Sequence, residues 1–264
     1  MTLRILYTIL SSIRSEPLVF IRYGLGFIIG TPAQPVLSIT TDALAEQLKA
    51  GKSFIRIGDG EAMILMGRSI HYQTFDPLLS HSLREIITTY STTSPYILAI
   101  PVFAITENAK ELKSRGRLRI WRLFRAMYKS MFDKKQAYAD AVIFYQRDNF
   151  SKTVAPLLHT HHVIIVSKKE NNTTELQTYI NRTCPSWEFI TVPALNAYNE
   201  LAQIKHNIDL AISKKRGEKT LLLFAAGPAS KALSLHYIKY DIQCIDIGHG
   251  LEILGRTDDY SDRL

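Results

Sequence analysis

Short apolar runs separated by stretches of helical periodicity constrain this chain more than any other feature. Residues 53–57, 96–100, 141–145, 162–166, 188–192, 220–224 and 242–247 each have the length and apolar content of a strand. Helical patterns lie between most of them, including residues 195–213 and 229–239. Thr41-Asp42 can cap an earlier short helix that runs through Ala50, with Gly51 as its stop signal. Strands alternating with helices predict an α/β fold, with a largely parallel sheet flanked by helices. Ligands of such sheets sit at the carboxyl ends of the strands.

The chain has 264 residues and 46% hydrophobic content, enough for one substantial core. We read residues 37–264 as one domain, preceded by a helical extension over residues 1–36. The extension is apolar, but Arg4, Arg14, Glu16 and Arg22 interrupt it. No run reaches the roughly 18 apolar residues of a membrane span. Signal-peptide organisation is not evident either, so the extension reads as a packed or membrane-peripheral helix. Cys184 and Cys244 lie 60 positions apart, which favours neither zinc nor a disulfide scaffold and points to a reducing compartment. The expected location is cytoplasmic, with contact at the inner membrane face as an option.

The net charge of +8 is concentrated. Residues 110–135 carry ten Lys or Arg against Glu111 and Asp133, an excess equal to that of the whole chain. Ile120, Leu123, Phe124, Met127 and Met131 recur there at helical spacing, with Arg119, Arg122, Arg125 and Lys129 between them. That pattern is an amphipathic basic helix, suited to a solvated face, an anionic membrane or a phosphate-bearing acceptor. No nucleic-acid-binding module accompanies the charge, so no nucleic acid is expected. His159, His161 and His162 read as a polar turn before a strand.

Gly58-Asp59-Gly60-Glu61 follows the first of the longer strands directly. Two carboxylates this close repel each other unless a cation or hydrogen-bond donors compensate. Flanking glycines let the backbone turn sharply and approach a ligand. Oxygen ligands on a tight turn suit Mg²⁺ or Mn²⁺, which keep waters and bridge to phosphates. The alternative is a surface turn in which Asp59 caps the next helix.

Phe54-Ile55-Arg56-Ile57-Gly58-Asp59-Gly60-Glu61 resembles the FxRxGDGE signature of the GT-D-type bacterial glycosyltransferases, marked by an Asp-x-Glu metal motif. Ile100-Pro101, the run from Val192 to Tyr198, Gly227-Pro228-Ala229-Ser230-Lys231 and Ile245-Asp246-Ile247-Gly248-His249 resemble further blocks of that family, in its order. The resemblance implies a Rossmann-like fold and transfer of a hexose, glucose or galactose, from a UDP-sugar. It implies a glycan, glycolipid or glycoprotein acceptor, in surface polysaccharide or glycoprotein synthesis. A divalent cation, Mn²⁺ or Mg²⁺, would be held by Asp59 and Glu61.

Several residues fit around that turn. Gly227-Pro228 follows a strand and opens a helix, whose free N–H groups suit an anion, with Lys231 one turn in. Arg56, Gly58, Asn196, Gly227 and Lys231 are therefore the expected donor-binding residues, although Asn196 could equally cap a helix. Asp246, His249 and Glu107, in that order, are candidates for the base that activates an acceptor hydroxyl. Two other readings stand beside this one: a metal-dependent phosphotransferase that uses the same carboxylates and cation, and a non-catalytic membrane-associated scaffold for polysaccharide assembly that does not depend on them.

Overall fold

The computed structural model describes residues 33–114, 118–215 and 217–254. The expected N-terminal extension lies outside them as far as residue 32. Eight strands form one sheet: β1 (Leu37–Ser38), β2 (Ser53–Arg56), β3 (Tyr96–Ile100), β4 (Ala137–Asp140), β5 (His162–Lys168), β6 (Ser186–Val192), β7 (Thr220–Ala225) and β8 (Gln243–Asp246). Their order is β1-β4-β3-β2-β8-β7-β5-β6, and every pairing is parallel. Chain order runs outward from β2 through β3 to β4 and then restarts at β5. The last strand, β8, closes the sheet by inserting between β2 and β7.

Strand alternation sorts the core. Phe54, Ile97, Ala99, Val163, Ile165, Leu221, Leu223 and Ile245 share one face, against the helices Thr41–Lys49, Arg147–Thr153 and Thr174–Thr183. Their neighbours Ile55, Leu98 and Ile100 point the other way, as do Ile164, Val166, Leu222 and Phe224. Both faces are thus covered, which is why the strands read as continuous apolar runs. Burying one such Ile, Leu or Phe side chain contributes about 1.5–3 kcal/mol, so these interleaved layers dominate the stability of the sheet. At the start of β8, Gln243 donates to the carbonyls of Leu48 (2.7 Å) and Lys52 (2.8 Å), and the Cys244 amide donates to Ser53 Oγ (2.9 Å).

Three local expectations are corrected. The strand placed at residues 141–145 lies at Ala137–Asp140 instead, and Ile143–Tyr145 forms a 3₁₀ turn buried under the sheet edge. The helix expected from residue 195 begins at Leu201, because Asn196 is left-handed (φ 55°) and a 3₁₀ turn intervenes. The first helix is capped by Thr40, whose side chain accepts from the Ala43 amide.

The basic segment forms the amphipathic helix its periodicity suggests, with one exception. In the helix Leu118–Met131, Trp121, Leu123, Phe124, Ala126, Met127 and Tyr128 are all buried. Arg125, expected on a free basic face, is 2% exposed. Its Nε donates to the Ala104 carbonyl at 2.9 Å and its Nη2 to that of Glu107 at 2.5 Å, at the end of the helix Val102–Thr106. Arg125→Ala should remove these donors and open a cavity, lowering unfolding free energy by about 2–4 kcal/mol. Lys129→Ala, on the exposed side, should stay within about 0.5 kcal/mol in the same urea titration.

Candidate functional site

A cavity of about 880 Å³ opens over the carboxyl ends of β2, β8, β7 and β5. A shallower concavity of about 640 Å³ lies at the opposite, amino-terminal ends of β7 and β8, beside Asp209 and Tyr240. It is at the wrong end of the strands for this sheet type. The larger cavity has the usual volume of a small-molecule site and gathers most of the residues singled out by the sequence.

Its floor is an ion cluster. Lys231, one turn into the helix Ala229–Ile238, places Nζ 2.7 Å from Glu61 Oε1 and 2.9 Å from Asp246 Oδ2. All three side chains are at least nine-tenths buried. Burial works against the Lys231 charge, but Asp246 and Glu61 overcome it and hold its pKa above the ordinary lysine value. Glu61 Oε2 meanwhile accepts from the Gly58 amide at 2.8 Å, closing the first turn of the helix Asp59–Leu65. The capping carboxylate of that helix is therefore Glu61 rather than Asp59.

Arg56 ends β2 beside this cluster. Its Nε lies 3.5 Å from Asp246 Oδ1, and Nη1 donates to the Ala141 carbonyl (3.0 Å) and Tyr145 Oη (3.1 Å). Burial opposes its charge too, and Asp246 and Tyr145 offset that penalty. The guanidinium packs closely against Gly248, where φ is +52° and any Cβ would fall on the Arg56 side chain. Only glycine suits both demands.

At the cavity mouth, His249 Nδ1 is 3.3 Å from Glu252 Oε1, and the imidazole meets the edge of Tyr145 with ring centroids 6.3 Å apart. His249 is 67% exposed on its side chain. Asp246, one strand end away, is enclosed between two cations. Glu107 is not among the cavity-lining residues; its backbone carbonyl receives Arg125. Of the three candidate bases, the structure brings only His249 to an open wall.

The expected donor-binding set divides similarly. Gly58 and Gly227 line the cavity, whereas Arg56 and Lys231 line it with their charges committed to Asp246 and Glu61. Asn196 stands behind the wall formed by residues 192–195, its Oδ1 accepting from the Thr74 amide at 2.7 Å. Sequence reasoning missed Lys168, the last residue of β5, which lines the cavity without an ion pair among the described residues. Glu252 and Tyr72 were missed as well. A Glu three residues after His249 was a readable signal for the first; nothing local marks the other two.

The same geometry tests a cation. Mg²⁺ and Mn²⁺ are held by one or two carboxylates, with waters and substrate phosphates completing the shell. Asp59 lies on the cavity wall and fits that role. Glu61 also lines the cavity, with one oxygen on the Gly58 amide and the other on Lys231. No group of three or more His, Cys, Asp and Glu with metal-holding geometry occurs among the described residues.

Comparison with known proteins places this architecture. The profile described as "Glycosyltransferase GT-D fold" matches residues 54–252, from β2 through Glu252. The chain belongs to that family. A relative called probable glycosyl transferase Gly, from Streptococcus gordonii, is 26% identical over 226 residues, covering 81% of this chain. The chain spans 32% of that relative's length. A solved structure described as a new glycosyltransferase (DUF1792) from Streptococcus sanguinis matches with a TM-score of 0.70 and 24% identity, over 81% of this chain and 82% of its own. Another, described as the highly conserved domain of unknown function 1792 with a distinct glycosyltransferase fold, gives 0.67 and 20%, over 81% and 78%. These two show that the fold is shared.

The two lysines on the GT-D cavity wall should separate cleanly in denaturant. Lys231→Met strands two buried carboxylates and should cost about 3–5 kcal/mol of unfolding free energy. Lys168→Met, which leaves no charge unpaired, should change stability by less than about 0.5 kcal/mol.

Proposed function

We propose that this GT-D-fold chain transfers a hexose from a UDP-sugar to a hydroxyl of a glycan, glycolipid or glycoprotein acceptor. One observation carries the reading. A cavity at the strand carboxyl ends joins an exposed imidazole–carboxylate pair to a glycine-led helix start, across a carboxylate turn.

The donor diphosphate lies over Gly227-Pro228, where the helix Ala229–Ile238 begins and turns the positive end of its dipole to the cavity; the Ser230 and Lys231 amides donate to the Gly227 and Pro228 carbonyls, both at 3.2 Å. Lys168 lies beside this turn, since Ser167 pairs with Ala225 across the β5–β7 ladder. It supplies the uncommitted positive charge that Lys231 cannot. The cavity wall carries four carboxylates, Asp59, Glu61, Asp246 and Glu252, against three cations, Arg56, Lys168 and Lys231. A diphosphate adds negative charge to an already negative wall. A divalent cation at Asp59 would supply the compensating charge as the leaving group departs. Glu61 and Lys231 act from behind, fixing the helix that carries Asp59.

His249 takes the proton from the acceptor hydroxyl at Nε2. Glu252 accepts from Nδ1–H, which sets the tautomer and stabilises the imidazolium that forms. Asp246 keeps Arg56 and Lys231 in place and moves no proton.

A panel of nucleotide sugars with Mn²⁺ tests the reading through thermal unfolding. UDP-glucose or UDP-galactose should raise the apparent Tm by mass action; no response to any nucleotide sugar, with or without metal, overturns it. In turnover assays His249→Ala should lower kcat by about 10²–10⁴-fold with little change in donor KM. Lys168→Ala should raise donor KM by about tenfold. Metal-dependent release of inorganic phosphate without an acceptor would indicate the phosphotransferase instead.

A further inference from the structure

Tyr72 occupies a seam that the sequence pattern does not announce. The turns after β2 and β7 are separated in the sheet by β8, and Tyr72 lies across both. A Cβ on Gly60 would come 2.9 Å from Tyr72 Oη, and one on Gly227 would come 3.0 Å from Cε2. Two glycines in different motifs therefore leave space for the same ring. Gly227 is also left-handed, at φ +58°.

The ring is carried by a tight loop that is closed by its own bonds and tied down by distant ones. Ile70 and Gln73 exchange backbone hydrogen bonds at 2.9 and 3.3 Å, and the Phe75 amide donates to Ser69 Oγ at 2.9 Å. The remaining anchors come from more than 120 residues away in sequence. The Asn196 amide donates to the Tyr72 carbonyl at 2.8 Å. Asn196 Oδ1 accepts from the Thr74 amide at 2.7 Å and from Thr74 Oγ1 at 3.1 Å. Gln73 is buried, and its Oε1 accepts from the Tyr198 amide at 3.1 Å. Asn196 is suited to this post because asparagine tolerates the left-handed backbone that turns its side chain toward the loop.

We propose that Asn196 is a positioning residue that latches the 70–75 loop, so that Tyr72 sets the width of the cavity for a diphosphate-bearing donor. The proposal rests on the donor reading given above. Tyr72 lines the cavity between Asp59 and Gly227. Burial, Glu61 and Asp59 all keep its phenol protonated. A donor entering between the two turns meets the ring as its side wall. A released loop leaves that wall open and the donor loosely held, while the His249–Glu252 pair, which packs on Tyr145 rather than on this loop, is untouched.

The test uses the full chain and pairs of variants. Asn196→Gly keeps the left-handed backbone but removes both Thr74 contacts, and Asn196→Asp restores an acceptor at the same place. Hydrogen exchange of the Thr74 amide should accelerate by about tenfold or more in Asn196→Gly and return toward the parent rate in Asn196→Asp. UDP-sugar KM should rise by about tenfold in Asn196→Gly and in Tyr72→Ala, with kcat within about threefold of the parent. Tyr72→Phe, which keeps the ring, should remain within about threefold of the parent KM. A parent-like donor KM in Asn196→Gly with a released loop overturns the proposal, as does Asn196→Asp matching Asn196→Gly. A parent enzyme inactive with every donor would instead sink the transferase reading, since the exchange measurement reports the latch without turnover.

Discussion

Lys231 holds the site together by standing where its charge is least welcome. Its ammonium lies between Glu61, in the first turn after β2, and Asp246, at the end of β8. Each of these groups would cost several kcal/mol to bury alone. Together they are tolerable, and they join three elements that share no local sequence. Any movement of the Asp59 turn relative to the Gly227 turn stretches at least one of those ion pairs. The carboxylate turn is thus aimed by electrostatics beneath the cavity, not by the ligand above it.

That arrangement divides labour between depth and surface. The buried tier of Arg56, Asp246, Lys231 and Glu61 has its charges matched internally and suits geometry more than chemistry. The outer tier of Asp59, Lys168, His249 and Glu252 faces the cavity, where protons and phosphates can reach it. Glycines separate the tiers. Gly248 lets Arg56 approach the His249 turn closely, while Gly60 and Gly227 admit the Tyr72 ring.

Much of the fold was legible because parallel strands buried on both faces are apolar throughout. All five residues of Tyr96–Ile100 are buried, and such a run has few other readings. Ala137–Asp140 escaped because it is short and polar at its end, next to the more apolar 141–145 run that folds as a turn. Within the site, the motif residues were found wherever a strand end marks them. Their roles were less legible. Lys231 reads as a phosphate ligand until a carboxylate 170 positions earlier takes its charge. Periodicity also assigned Arg125 to solvent, whereas two orphan carbonyls of another helix draw it inward. Tertiary partners of this kind carry no local signature.

The place of β8 bears on how the molecule comes into being. This strand is the last among the described residues and central in the sheet, and its pairing of Phe54 with Ile245 spans most of the sequence. Contacts so distant are slow to form, because a long loop must close before they contribute. During synthesis the halves built on β2–β4 and on β5–β7 can each collapse, but they remain two open-edged sheets. Helix contacts and the Asn196 bonds already link the halves, but only residues 243–249 complete the sheet between them, and the same segment delivers Asp246 and His249. Completion of the sheet and assembly of the cavity are then one event, so a chain arrested before that point has neither.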